Sequence, residues 1–354
     1  MKQTAWFGVL AAFIAAGISL AQAPKVSDPT PAAAPQAAPG QPPAAAPGEA
    51  PQAARPGRGR GSFGPPPELG PDDKQTFPDP PAGFNLRRDN IPHGQLTEVP
   101  YDSQTLGTRR RIGVYLPPGY SSSRRYPTLY LIHGLGWNDL EWTAIRHVDV
   151  VLDNLIADGK VPPMVLVFPN GDSTMTLADI EGNGGGPRMN PGNAQHPVGG
   201  AAEAGRGRQG MNMEPWLAPF ENDLLNDIIP FVDSHYSVFS DRDHRALAGL
   251  SMGGGQALNI GLVHPETFAY VGGFSAAPDT KSPPALVPDP EVPRKLELLW
   301  LACGNKDGLL RVTQGVHAYL KEKGVPHVYN VDGNAHDTAE WQSNFYHFSQ
   351  RLFK

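Results

Sequence analysis

One cysteine, Cys303, stands in 354 residues, so no intramolecular disulfide braces this chain. It follows the apolar stretch 298–302, where a buried strand thiol is expected, and its neighbours Gly304 and Asn305 build no metal site. Charge of one sign is also scarce: 29 Lys and Arg against 35 Asp and Glu leave a net charge of −6. Arg55, Arg58 and Arg60, and Arg109 to Arg111, are too sparse for a basic groove, which argues against a nucleic-acid partner. No metal cluster and no dinucleotide fingerprint is visible. Gly253-Gly254-Gly255 belongs to a strand–helix turn and the glycines of 182–186 follow no phosphate-binding pattern, so neither a metal nor a cofactor is expected.

The apolar run 5–20 falls short of the roughly twenty residues that cross a bilayer. Lys2 precedes it, and it ends in small residues, Ser19 and Ala21, at the spacing a signal peptidase reads, so residues 1–21 are expected to be a signal peptide cleaved after Ala21. Export to the periplasm or the medium follows, with no stable membrane insertion after cleavage, and the lack of a following cysteine argues against a lipid anchor. From 24 to 81, 17 of 58 residues are proline; such a segment has little to bury, so 22–83 is read as a disordered tether. Folding is expected to begin near Phe84 and to continue to Lys354.

Two strands are expected at 95–101 and 108–116, joined by a turn at 103–107. Apolar strands then alternate with helix-length segments, the pattern of an α/β domain with a mostly parallel sheet covered on both faces and antiparallel strands at its N-terminal edge. Strands are read at 128–133, 164–169, 245–248, 270–274, 297–302 and 328–331, and helices at 144–156, 221–235, 252–263, 314–323 and 340–353. Residues 181–213 hold ten glycines in 33 positions and read as an insertion, either a lid or a passive loop, on the face where open α/β sheets bind ligands.

The segment Gly249-Leu250-Ser251-Met252-Gly253 joins a strand to a helix as a G-x-S-x-G turn. Its glycines remove side chains that would collide with strand and helix, leaving Ser251 Oγ exposed at a helix N-terminus that favours negative charge. A serine nucleophile needs a base, and that base needs an orienting acid. His336, in the loop between the last strand and the last helix, is the best base; His317, His327 and His347 are read as structural, and His264 and His244 lie too near the turn in sequence to reach back. Asp307, directly after a strand, is the preferred acid, with Asp279 the runner-up and Asp337 too close to His336. The backbone N–H groups of Met252 and Leu135 are the expected oxyanion donors, with His133 a prop for the loop that carries Leu135.

With these residues in place, the chain resembles the esterase D group of α/β-hydrolases, in particular the feruloyl and acetylxylan esterases of carbohydrate esterase family one. The resemblance runs from about Phe84 to Lys354. It is carried by Val114-Tyr-Leu-Pro-Pro-Gly119-Tyr120, Tyr126-Pro127, Leu131-Ile-His-Gly134, Trp142, Phe168-Pro-Asn-Gly171, the turn around Ser251, Cys303-Gly-Asn-Lys-Asp307 and His336. It implies the α/β-hydrolase fold and an ester substrate, an acyl group on a cell-wall polysaccharide such as xylan; Trp142 and Trp341 would either stack against it or serve as core or rim packing. Acyl transfer to a sugar, or carbohydrate binding without catalysis, are the competing readings. After His336 the chain keeps only the second tryptophan, Trp341, of the family's H-D-W-x-x-W stretch. The insertion at 181–213 is longer than such enzymes usually carry.

Overall fold

The computed structural model describes residues 65–182 and 214–354. Among these, β1 (Gln95–Ser103), β2 (Thr108–Leu116), β3 (Thr128–Ile132), β4 (Val165–Phe168), β5 (Arg245–Leu250), β6 (Tyr270–Phe274), β7 (Leu298–Gly304) and β8 (Val328–Asp332) form one sheet in the order β1-β2-β4-β3-β5-β6-β7-β8. The β1–β2 and β2–β4 pairs are antiparallel and the other neighbours parallel. This is the α/β-hydrolase fold. The helices are α1 (Val148–Ala157), α2 (Leu177–Gly182), α3 (Glu214–Asp223), α4 (Ile229–His235), α5 (Met252–Gly261), the short α6 (Pro283–Leu286), α7 (Leu310–Glu322) and α8 (Thr338–Ser349).

The central strands β3 to β6 are buried along their whole length because each is covered on two faces. In β3, Tyr130 and Ile132 join a core with Phe220, Leu258 and Leu320, whereas Leu129 and Leu131 join a second core with Leu152, Phe345 and Phe348. The central strands point the same way, so the residues after Ile132, Leu250, Gly304 and Asp332 gather along one edge of the sheet. Strand order reverses between β3 and β5, the kind of crevice in which such sheets bind ligands.

Helix boundaries depart from the sequence pattern where the backbone changes pitch. The helix expected at 144–156 is a π-helical turn, Glu141–Ile145, followed by α1, with the left-handed His147 (φ 49°) breaking the run between them. The helix expected at 221–235 starts earlier, at Glu214, and passes through a π-helical stretch, Leu224–Ile228, just before Pro230, which cannot donate the backbone bond a regular helix requires. The last helix stops at Ser349 rather than 353.

The start of folding near Phe84 is corrected. Residues 65–83 are ordered against the domain: Val331 N–H donates to Lys74 O at 3.0 Å, Thr76 N–H to Asn330 Oδ1 at 2.8 Å, and Thr76 Oγ1–H to Tyr329 O at 2.6 Å. Phe77 stacks on Trp300 with centroids 5.0 Å apart, beneath the Arg351 guanidinium at 3.9 Å. Proline-rich composition disfavours helix and central strand, yet an extended strap suits the otherwise open edge of β8. The expected signal peptide, the rest of the tether and nearly all of the 181–213 insertion lie outside the described residues. No helix among the described residues is long and apolar enough to cross a membrane.

Replacing Phe77 by Ala is expected to lower the free energy of unfolding by about 2 kcal/mol, from lost aromatic and cation contacts, read by urea titration. A loss below about 0.5 kcal/mol, the size of an ordinary surface substitution, would show that the strap is not held there.

Candidate active site

Ser251 stands alone between the last residue of β5 and the first of α5, at φ 53° and ψ −119°. A Cβ built on Gly249 would lie 2.3 Å from Gly253 O, and one on Gly253 would lie 2.4 Å from Ile132 O. Both positions therefore require glycine, and the two together let α5 start directly against the end of β3. Three backbone bonds hold the turn: Ser251 N–H to Phe274 O at 2.9 Å, and Ala277 N–H and Gly255 N–H to Ser251 O at 3.0 and 3.1 Å.

The structure brings Ser251, His336 and Asp307 into one hydrogen-bonded series. His336 Nε2 lies 3.0 Å from Ser251 Oγ, and Nδ1 lies 2.7 Å from Asp307 Oδ2. With the proton on Nδ1 directed at the carboxylate, Nε2 is left to accept the serine hydroxyl. Asp307 is 1% exposed, and its second oxygen accepts Leu309 N–H at 2.8 Å. Burial pushes its carboxyl up, but the hydrogen bond and charge of His336 and the Leu309 N–H outweigh this and hold it below the ordinary aspartate value. Asp337 caps α8, accepting from Ala339 N–H and Glu340 N–H, which fixes the loop on the other side of His336.

Asp279 lies elsewhere. Its carboxylate faces Gly255 on α5, where an added Cβ would meet Oδ1 at 2.6 Å. That oxygen is buried without a hydrogen-bond partner, and burial pushes the group up to about 7. His317 and His327 contact each other through Nδ1 and Nε2 at 2.8 Å under the strap, while His264 bridges Glu221 and Glu266.

Two candidate donors face the serine's surroundings. The Met252 N–H, first in α5, has no acceptor one turn back. Leu135 belongs to a loop whose preceding residue, Gly134, backs onto the nucleophile: a Cβ there would lie 3.5 Å from Ser251 Cβ. The Gly134 carbonyl accepts Trp137 N–H at 3.2 Å and faces His133 Nδ1 at 2.7 Å. In a trans peptide the next N–H points opposite to that carbonyl, so these contacts turn the Leu135 N–H away from the loop's own bonds. The other nitrogen of His133 meets Gly171 N–H at 3.0 Å, which ties this loop to the one after β4.

Of the two readings of Trp142 and Trp341, stacking or packing, both residues take the packing one. Trp142 is corrected to a core residue: it is 1% exposed, its Nε1–H donates to Ile132 O at 3.0 Å, and it packs edge-on to Phe274. No face remains for a sugar. Trp341 is 4% exposed and sets its ring at 88° to His336, centroids 5.0 Å apart, with Arg146 at 4.4 Å on its face; it supports the histidine instead of offering a platform. Sequence reading missed two buried acids beside the series, Glu141 and Glu340. The only signal was a glutamate directly before a tryptophan in both cases, Glu141-Trp142 and Glu340-Trp341.

Comparison with known proteins gives a family and a fold. A family model named Esterase, described as "Putative esterase", matches residues 103–351. An endo-1,4-beta-xylanase/feruloyl esterase of Xylanibacter ruminicola is 30% identical over 277 residues, which are 77% of this chain and 33% of that protein. An esterase of Mycobacterium tuberculosis is 26% identical over 58% of this chain and 36% of its own length. The chain thus spans about a third of the length of these relatives. A CE1 ferulic acid esterase from Anaeromyces mucronatus, in complex with ferulic acid, superposes with a TM-score of 0.62 over 78% of this chain and 96% of that one, at 23% identity.

The φ,ψ pair at Ser251 is one that side chains rarely adopt, and holding it costs about 1–3 kcal/mol. Ser251→Gly is therefore expected to be more stable than Ser251→Ala by about 1 kcal/mol after glycine's greater freedom in the unfolded chain is counted. Equal denaturation midpoints for the two variants would show an unstrained turn.

Proposed function

The chain belongs to the esterase family, and from that premise we propose that it is an exported serine carboxylic-ester hydrolase that removes feruloyl or acetyl groups from xylan. The observation that carries the reading is the unbroken series Ser251 Oγ, His336 and Asp307 at 3.0 and 2.7 Å, set at the start of a helix.

In this reading Ser251 Oγ attacks the ester carbonyl as its proton passes to His336 Nε2. Asp307, kept ionised by its own hydrogen bonds, stabilises the imidazolium and fixes its orientation. The oxyanion of the tetrahedral intermediate is taken by the N–H groups of Met252 and Leu135, each worth about a hundred- to a thousandfold in rate. Protonated His336 then gives its proton to the sugar's ester oxygen, which departs as a hydroxyl. Water, deprotonated by the same histidine, releases the acid from the acyl-serine. No step calls for a metal or cofactor, since serine, histidine and aspartate balance the protons among themselves.

The substrate class is supported by names attached to relatives: a xylanase/feruloyl esterase, and an acetyl esterase of Caldicellulosiruptor saccharolyticus that is 22% identical over 62% of this chain. Export is supported by the apolar run after Lys2 and by Ala21, and it matches a polymer substrate that does not enter cells.

Ser251→Ala is expected to lower kcat on methyl ferulate or p-nitrophenyl acetate by about a millionfold, and Asp307→Asn by about ten-thousandfold, while Asp279→Asn stays near the parent value. A Ser251→Ala protein that still turns over these esters defeats the mechanism; a reversed order of the two aspartates assigns the acid to Asp279.

N-terminal sequencing of protein recovered from the periplasm or culture fluid is expected to begin at Gln22. Recovery only from the cytosol, with Met1 retained, would overturn export.

A further inference from the structure

The strongest feature outside the reacting groups is a buried ion pair behind the loop that carries Leu135. Glu141 is fully buried. One of its oxygens accepts Gly134 N–H at 2.7 Å, and the other accepts from Arg146 at 2.5 Å. The pair owes its register to the π-helical turn Glu141–Ile145, in which Arg146 N–H reaches back five residues to Glu141 O at 3.1 Å. In a regular α-helix these two side chains would point to different faces.

Arg146 reaches the other side of the site. Its second arm donates to Thr338 Oγ1, two residues after His336. Its guanidinium lies 4.4 Å over the ring of Trp341, whose edge meets His336, and 5.6 Å from that of Trp137. Gln342 on α8 also donates to Arg146 O at 2.7 Å. A continuous path of contacts therefore runs from Gly134 through Glu141, Arg146 and Trp341 to His336.

The charges have a further consequence. A lone carboxylate behind Gly134 would oppose the negative charge that develops next to Leu135. The Arg146 guanidinium cancels it, so the pair holds the Gly134 N–H without lowering the potential at the oxyanion.

We propose that Glu141 and Arg146 are positioning residues that lock the oxyanion loop to the histidine-bearing loop, so that donor and base keep one geometry. This rests on the serine esterase reading above. Glu141 fixes the nitrogen side of Gly134 while His133 and Trp137 fix its carbonyl, and the peptide between them has no freedom to turn the Leu135 N–H. Neither residue touches substrate.

The test uses the mature chain with Glu141→Gln, Arg146→Lys and the double variant, each normalised to the fraction of Ser251 that reacts with a fluorophosphonate. Glutamine keeps an oxygen for Gly134 but turns an amide N–H₂ toward Arg146; lysine keeps the charge but loses the two-armed contact and the stack. Expected is a tenfold to hundredfold fall in kcat per titrated site, part of the value of one oxyanion donor, with KM within about threefold. Affinity for an arylboronic acid, which mimics the tetrahedral state, falls with kcat, while affinity for the product acid is unchanged. The double variant is no slower than the slower single one, because the two act as a unit.

Parent-level kcat per titrated site in both single variants overturns the proposal, and so does an equal loss of boronate and product affinity. If Glu141→Gln does not fold, Arg146→Lys alone decides on the same readouts. A parent protein that neither reacts with the fluorophosphonate nor cleaves an ester overturns the esterase reading itself, a result distinct from failure of the positioning role.

Discussion

Everything in the site depends on how closely α5 approaches the end of β3. The register of β3 and β5 puts Ile132 opposite Gly249, and Gly253 then lies against the Ile132 and His133 carbonyls with no room for a side chain. That contact sets where the nucleophile stands and also where the loop after β3 begins. Gly134 reaches Ser251 because the chain leaves β3 at this point. Ser251 is held in an unfavourable conformation by bonds to the end of β6 and to Ala277, so its strain is overdetermined by neighbours that are themselves buried sheet.

Local rules carried much of this into the sequence. Strand positions were legible because a strand buried on both faces is a continuous apolar run, and β3 and β6 fall within a residue of where the pattern put them. The turn at Ser251 was legible because its glycines answer a steric requirement that nothing else satisfies. His336 and Asp307 were legible from chain order and from their places after strands. What escaped the pattern is long-range. The left-handed His147 and the π-helical turns leave no mark in a 3.6-residue periodicity. Trp142 has the same apolar composition around it whether it lines a cleft or fills a core, and only its bond to Ile132 O settles which. The strap at 65–83 reads as tether because its partners, Asn330 and Trp300, lie more than two hundred residues away.

The acids around the series are sorted by what each can bond. Asp307 stays charged in a buried place because His336 and the Leu309 N–H both favour its anion. Glu340 is pushed far above the ordinary range by burial and then by the charges of Asp332 and Asp307. Burial first, and then like-charge repulsion, favour the uncharged form of Glu340 beside Asp307. Burial and the nearby Asp307 charge likewise raise Cys303, which favours the thiol over the reactive thiolate on the strand that leads to the acid.

The base arrives from furthest away. Three strand spacings separate β5 from β8, about 14 Å in all, so a histidine carried by β8 reaches Ser251 only through a loop that folds back over β6 and β7. That loop is pinned along its length: Asn305 N–H bonds Asp332 O, Lys306 N–H bonds Asn334 O, and Gly304 passes Asn334 O too closely to carry a Cβ. Asp307 rises from β7, between the two strands, and meets the histidine on its way. The weak point is β8 itself, which is the edge of the sheet and would otherwise show open backbone groups. Thr76 and Lys74 cover that edge. The proline-rich approach to the domain therefore ends by bracing the strand on which the position of the base depends.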